Sequence, residues 1–206
     1  MNSKIIVLFG LVLLVCTTLE SADAPGNQQK DIVKMQNRRF SPTPGIDPEL
    51  RKAVKTNNCT RGIVQFKNVP SPSDGASLRK AGVELGSFMG DTVYLAEFYK
   101  GADLDSLTNS VRWAGLLLTE DKVKKSLWQR RLKRGKEKVL VIAEFYPRTL
   151  SNEIYQVFAK YDSPPQPYGL KDRWAIQLRF EQLESLAAEP IVHWLAPGTP
   201  GFRPLR

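Results

Sequence analysis

Apolar and polar positions alternate along two stretches of this chain that read nearly alike. One runs Asp-Thr-Val-Tyr-Leu-Ala-Glu-Phe from Asp91 to Phe98, the other Asp-Arg-Trp-Ala-Ile-Gln-Leu-Arg-Phe from Asp172 to Phe180. A period of two predicts a strand with one face buried. Each stretch is followed by a Leu-x-Ser-Leu block (Leu104–Leu107, Leu183–Leu186) and then by Val-x-Trp (Val111–Trp113, Val192–Trp194). The interval from Asp to Trp is the same in both, so one structural unit is read as used twice.

The flanking pattern completes each unit. In the first, Ile63–Phe66 is a β-type run, and Ser73–Ala81 predicts a helix with Ser73 as N-cap and Gly82 as its stop. Val83–Phe88 and Thr92–Phe98 predict a hairpin across Gly90-Asp91. Ala102–Asn109 suits a short helix and Val111–Leu117 a last strand. In the second, Val139–Tyr146 is apolar at nearly every position, and Leu150–Tyr161 carries Ile154, Val157, Phe158 and Tyr161 on one helical stripe. The proline-rich Ser163–Pro167 reads as an edge strand or loop, because proline cannot donate to a ladder. Trp174–Phe180, Gln182–Ala188 and Ile191–Leu195 then give strand, helix, strand. The order β-α-β-β-α-β is that of the ferredoxin-like unit. The expected class is α+β, with two tandem ferredoxin-like units (residues 61–118 and 138–197) and antiparallel sheets.

Lining up Asp91 with Asp172 assigns the faces. Trp174, Ile176, Leu178 and Phe180 share the core side of the second sheet, while Arg173, Gln177 and Arg179 face water. By the same alignment Val93 and Leu95 are core, in register with Trp174 and Ile176. Tyr94, Ala96 and Phe98 then form an apolar open face, a candidate docking surface. Their burial against the second unit or the segment before the first is the alternative.

Composition changes the picture at both ends and in the middle. Met1–Lys4 is a short basic start, Ile5–Val15 is almost wholly apolar, and Ala22-Asp-Ala24 suits a cleavage site. Residues 1–24 read as a secretory signal peptide, hence a secreted protein, and the apolar run is too short for a transmembrane segment. Residues 25–60 are polar and proline-punctuated, a flexible lead segment with a short helix over Pro48–Val54. Asn58-Cys-Thr60 matches the N-glycosylation pattern. With one cysteine, Cys59, outside the leader, neither an internal disulfide nor a thiolate metal site is available. The net charge of +9 is concentrated between Lys122 and Lys138, where Glu137 is the sole acid. This connector (119–137) has Leu127, Trp128 and Leu132 as apolar anchors. It reads as a solvated linker, as a surface for anions, or as a processing site, since Arg131, Lys133 and Arg134 fit Arg-x-Lys-Arg. Nucleic acid is not expected, because no array of stacking aromatics accompanies the charge.

The stretches Gly62–Lys67, Leu78–Val83, Tyr94–Glu97, Val111–Trp113, Glu120–Val123 and His193–Pro197 resemble the duplicated N-terminal propeptide region of subtilisin-family secreted serine proteases. The resemblance covers roughly residues 60–197, and no catalytic domain follows it here. It implies a ferredoxin-like unit whose sheet docks on two helices of the protease, and a C-terminal tail lying in the substrate cleft. Phe202, Arg203, Pro204, Leu205 and Arg206 would be that tail. The chain would then be a non-catalytic inhibitor or folding chaperone of a subtilisin-type protease. Two other readings stand beside it: an extracellular module binding another partner through the first sheet or the connector, and a protease gene product lacking its catalytic domain.

The residues offer no chemistry of their own. His193 is the single histidine. It lies in a predicted strand at the place Arg112 holds in the first unit, which marks a structural position. Ser-nucleophile turns, glycine-rich phosphate loops and metal-ligand clusters are missing from the sequence, so catalytic residues, metal and cofactor are all expected to be none.

Overall fold

The computed structural model describes residues 31–199, apart from residues 148, 162, 163, 165, 170 and 171. The expected leader (1–24) and the tail residues Phe202–Arg206 therefore lie outside the described residues. The chain is an α+β protein. A two-stranded hairpin, β1 (Val33–Lys34) and β2 (Arg39–Phe40), is followed by β3 (Gly45–Ile46), α1 (Pro48–Thr56), β4 (Cys59–Phe66), α2 (Pro72–Lys80), β5 (Val83–Gly90), β6 (Val93–Tyr99) and β7 (Val111–Leu116). Then come α3 (Lys125–Arg134), β8 (Lys138–Phe145), α4 (Ser151–Phe158), β9 (Gln166–Pro167), β10 (Arg173–Arg179), α5 (Leu183–Ala188) and β11 (Val192–Pro197).

The first sheet has the order β3-β7-β4-β6-β5 and the second β11-β8-β10-β9. The first is not purely antiparallel, because β3 runs parallel to β7. The lead segment expected to be flexible is thus ordered from Asp31 onward. Asp47 explains part of this. Its amide donates to the Ala114 carbonyl (2.8 Å), and its side chain caps α1 at the Glu49 amide (2.8 Å) with Pro48 in the first turn. Leu50 and Val54, four residues apart, fill the core below.

Helix α2 starts earlier than its sequence suggests. Its N-cap is Ser71 rather than Ser73, because Pro72 needs no amide partner at the first helical position. Ser71 and Asp74 form a reciprocal capping box, and the hydrogen bonds from Ser71 hold the Asp74 carboxyl below its usual range. The predicted helix over 102–109 tightens to a 3-10 turn at Ser106–Asn109.

Register overturns the face assignment for the first sheet. Val64 on β4 and Ala143 on β8 stand opposite Ala114 and Leu195, the residues following the two Val-x-Trp blocks. Across the other neighbour, Val64 faces Tyr94 and Ala143 faces Trp174. Tyr94, not Val93, is therefore the counterpart of Trp174. A slip of one residue moves every side chain to the other face. Accordingly Ala96 and Phe98 are buried with Tyr94 among Leu50, Val54, Phe66 and Leu78, under α1 and α2. The proposed docking surface is the core. Val93 and Leu95 instead pack on the opposite face with Ile63 and Trp113, and the hairpin residues Val33, Met35 and Phe40 close over them. The second sheet follows its pattern, with Trp174, Ile176, Leu178 and Phe180 in one core with Phe145, Phe158 and Leu127.

Both last strands carry the same irregularity. Pairing skips Arg112, between Val111 and Trp113, and His193, between Val192 and Trp194. Such a bulge re-aims one side chain. Arg112 Nη1 donates to Gln65 Oε1 (3.0 Å), and His193 Nδ1 lies 3.2 Å from Glu144 Oε1. Helices α1 and α3 also enter alike: the Lys124 amide donates to the Leu195 carbonyl (2.9 Å), as Asp47 does to Ala114, and Val123 bridges Leu195 in parallel.

Candidate functional site

Arg61, on β4, faces away from the helices. Its neighbour across β6 is Glu97, and Glu97 stands opposite Glu84 on β5. The three charges form one row across the sheet, on the side the helices leave open. The loop after β8 comes over this row. Arg61 stacks on the Tyr146 ring (3.5 Å to the centroid), donates to the Pro190 carbonyl (2.8 Å) and pairs with Glu97 (3.3 Å). Tyr146 in turn lies 4.8 Å, ring to ring, from His193. The result is a cleft of about 290 Å³ between the first sheet and the loop after β8, with walls from Leu95, Leu117, Tyr99 and Pro147.

Burial pushes the Tyr146 phenol well above its usual pKa, so it stays protonated. Burial and then Glu97 raise the Cys59 thiol, which disfavours the thiolate a nucleophile needs. The Tyr99 hydroxyl donates to Glu84 Oε2 (2.9 Å), and that bond raises its pKa. His193 is held by Glu144, which also pairs with Arg173 (2.8 Å). The arrangement presents apolar walls and carboxylates and suits binding.

A second cluster fixes how the two halves meet. Arg38, in the hairpin turn, pairs with both oxygens of the buried Asp121 carboxylate. Asn37 donates to the Glu120 and Val123 carbonyls (2.7 and 2.6 Å). Lys122, counted in the sequence as part of a solvated linker, is buried instead and donates to the Glu189 carbonyl (3.2 Å). Burial, with Arg61 nearby, lowers its pKa to about 8. The hairpin is thus a strap, covering the part of the first sheet's helix-free face around Ile63, Val93 and Trp113 and gripping the connector.

The remaining expected sites lie apart from the cleft. Arg131, Lys133 and Arg134 are on α3. Arg131 lies over the Trp128 ring (3.4 Å) and Arg134 pairs with Glu137 (3.1 Å). Of the expected anchors, Leu127 is fully buried but Leu132 is 81% exposed. Asn58 is exposed between α1 and β4. Among the described residues no group of three or more His, Cys, Asp or Glu side chains could hold a metal ion, and no helix is long and apolar enough to cross a membrane. Sequence reading missed the row Arg61–Glu97–Glu84, whose one signal was charged residues at alternate positions within predicted strands.

Residues 34–118 match a family described as a domain of unknown function, DUF8729. The match runs from the hairpin to the end of the first sheet and stops before the connector. No curated protein and no solved structure matches the chain.

Proposed function

We propose that the chain is a secreted, non-catalytic binding protein built from two copies of a ferredoxin-like unit. In this reading it binds a subtilisin-type serine protease as inhibitor or folding chaperone. One observation carries it: counted from its own first long strand, each sheet has the order fourth, first, third, second, with the same bulge in the last strand. The resemblance of residues 60–197 to subtilase propeptides supplies the partner.

The docking surface moves to the second sheet. Its helix-free face carries Leu140, Ile142, Ala175, Trp194 and Ala196, bordered by Arg173, Gln177 and Arg179. Ile142 and Ala175 are buried there, Leu140, Trp194 and Ala196 are half-buried, and Gln177 and Arg179 are exposed. In the first sheet the corresponding tryptophan, Trp113, lies under the hairpin. The Gly198 amide donates to the Leu140 carbonyl (2.8 Å), so the chain leaves β11 still extended. The proposal assigns the protease cleft to Phe202–Arg206.

The test is titration of the purified chain against a panel of subtilisin-family proteases. The expected result is inhibition that weakens on deletion of Phe202–Arg206 and on substitution at the exposed Gln177, Gln177→Glu. If micromolar chain slows none of them, the reading fails.

A further inference from the structure

Strand β5 ends the first sheet, and the equivalent place in the second sheet is held by β9. The two edges are built differently. Strand β9 pairs with β10 on one side, and the proline at 167 has no amide to offer a further strand on the other. Val83–Gly90 has neither proline nor lysine, and Glu84, Gly86, Ser87 and Phe88 are exposed. The Tyr99 amide donates to the Gly82 carbonyl (3.0 Å). By the alternation of an antiparallel pair, the amides and carbonyls of Val83 and Leu85 then point outward, away from β6.

The charge row ends at this edge. Reading outward from β4 it runs Arg61, Glu97, Glu84: positive, negative, negative. Like charges directly opposite each other on neighbouring strands are unfavourable. Arg61 offsets Glu97, at 3.3 Å, whereas the contact made by Glu84 is with the neutral Tyr99 hydroxyl. The next position in the row, on a strand added beside β5, is where a cation would offset Glu84 as Arg61 offsets Glu97. A long side chain there also reaches the mouth of the cleft at Tyr99.

We propose that β5 accepts an extended segment of a partner protein by strand addition, and that the residue facing Glu84 in that segment is arginine or lysine. Backbone pairing with Val83 and Leu85 supplies affinity, and the charge row supplies register and choice of side chain. The proposal is independent of the protease reading, which uses the second sheet.

The full chain is titrated with three blocked peptides: Thr-Val-Thr-Arg-Thr-Val-Thr, the same with Glu for Arg, and the Arg peptide N-methylated at alternate residues. The Arg peptide is expected to bind and to slow amide exchange at Val83 and Leu85. The Glu peptide should bind about fivefold or more weakly, and Glu84→Gln, on an exposed position, should erase the difference while leaving the fold intact. N-methylation should cost at least about tenfold, because it removes the strand's donors. Failure of the Arg peptide to bind, equal binding of the Arg and Glu peptides, undiminished binding of the methylated one, or unchanged exchange at Val83 and Leu85 would each overturn it. So would self-association without peptide that protects the same amides, which would give the edge to a second copy.

Discussion

The two sheets differ most on the faces their helices do not cover. In the first, Trp113 is buried against Phe40 (5.4 Å, edge to face), with Val33 and Met35 beside it. In the second, the equivalent Trp194 is half-buried, opposite Glu144 and with Arg173 on the next strand. One change in the backbone pattern goes with this. Gly115 follows Trp113 by two residues, and a Cβ there would lie 2.2 Å from Trp113 Cζ2. The equivalent residue in the second sheet, opposite Ile142, is Ala196. A glycine lets the first indole lie close along its strand, under the strap, where a Cβ would collide with it. Small local differences of this kind bury the tryptophan of one sheet face and leave that of its counterpart half-exposed.

The largest expected effect comes from cutting the strap. Asp121→Ala takes away the close carboxylate partner of Arg38, leaving it the longer 3.9 Å contact with Glu120, and removes the acceptor of the Leu118 amide. Breaking a buried pair from one side typically costs several kcal/mol, and because Arg38 is partly exposed about 2–3 kcal/mol is expected here. Chemical denaturation measures it, and red-shifted tryptophan emission in the folded variant would report opening of the Trp113 face. A loss below about 0.5 kcal/mol, the range of a neutral surface change, would mean the hairpin does not hold that face.

Gly115→Ala makes the first sheet resemble the second. The indole must shift from a packed position, so a loss of about 1–3 kcal/mol is expected from overpacking. The reverse change, Ala196→Gly, should cost less. If Gly115→Ala is neutral, glycine is not what separates the two faces.

The junction between the halves should show in pH. Burial lowers the pKa of Lys122 in the folded protein to about 8, below the ordinary lysine value of 10.5. Its charged form is disfavoured by folding, so stability is lowest below about pH 8 and rises as pH climbs toward the unfolded value, by on the order of 2–3 kcal/mol in full. Tyr161 opposes this at the top of the window. Burial, then Glu189, pushes it up to about 12, so its contribution is complete below about pH 10 and is lost above that as the unfolded phenol ionises. Burial pushes Tyr146 the same way. A stability maximum near pH 10 follows. Lys122→Met should raise stability at pH 7 and flatten the rise between pH 8 and 10. A rise that persists in this variant would assign it to another group.

The α+β class, most strand centres and the second sheet's faces were legible in alternation and in the helical stripe of Ile154, Val157 and Phe158. The first sheet's faces were not. Its repeat was aligned on Asp91 and Asp172, but the turn before β6 uses Gly90 and Asp91 at positive φ (112° and 53°), and the pairing register is one residue away from that alignment. A turn sets register in three dimensions, and matching letters on either side of it do not. The hairpin strap was missed because its strands, Val33–Lys34 and Arg39–Phe40, are too short to show a period. The Arg61–Glu97–Glu84 row was missed because its members become neighbours through pairing.

The smallest effect tests the helices that enter the two sheets. Leu50 on α1 and Leu127 on α3 are both fully buried. Beyond them the helices part: α1 buries a second residue, Val54, whereas α3 turns Leu132 to solvent and lays Arg131 over Trp128 instead. The aliphatic stem and planar head of arginine cover apolar surface as a second anchor would. Leu132→Ala should then change stability by less than about 0.5 kcal/mol, while Arg131→Ala, which uncovers the indole, should cost about 1 kcal/mol despite removing a residue from the most basic part of the chain. Equal losses from the two would put Leu132 in contact with a neighbour and make α3 a two-leucine helix like α1.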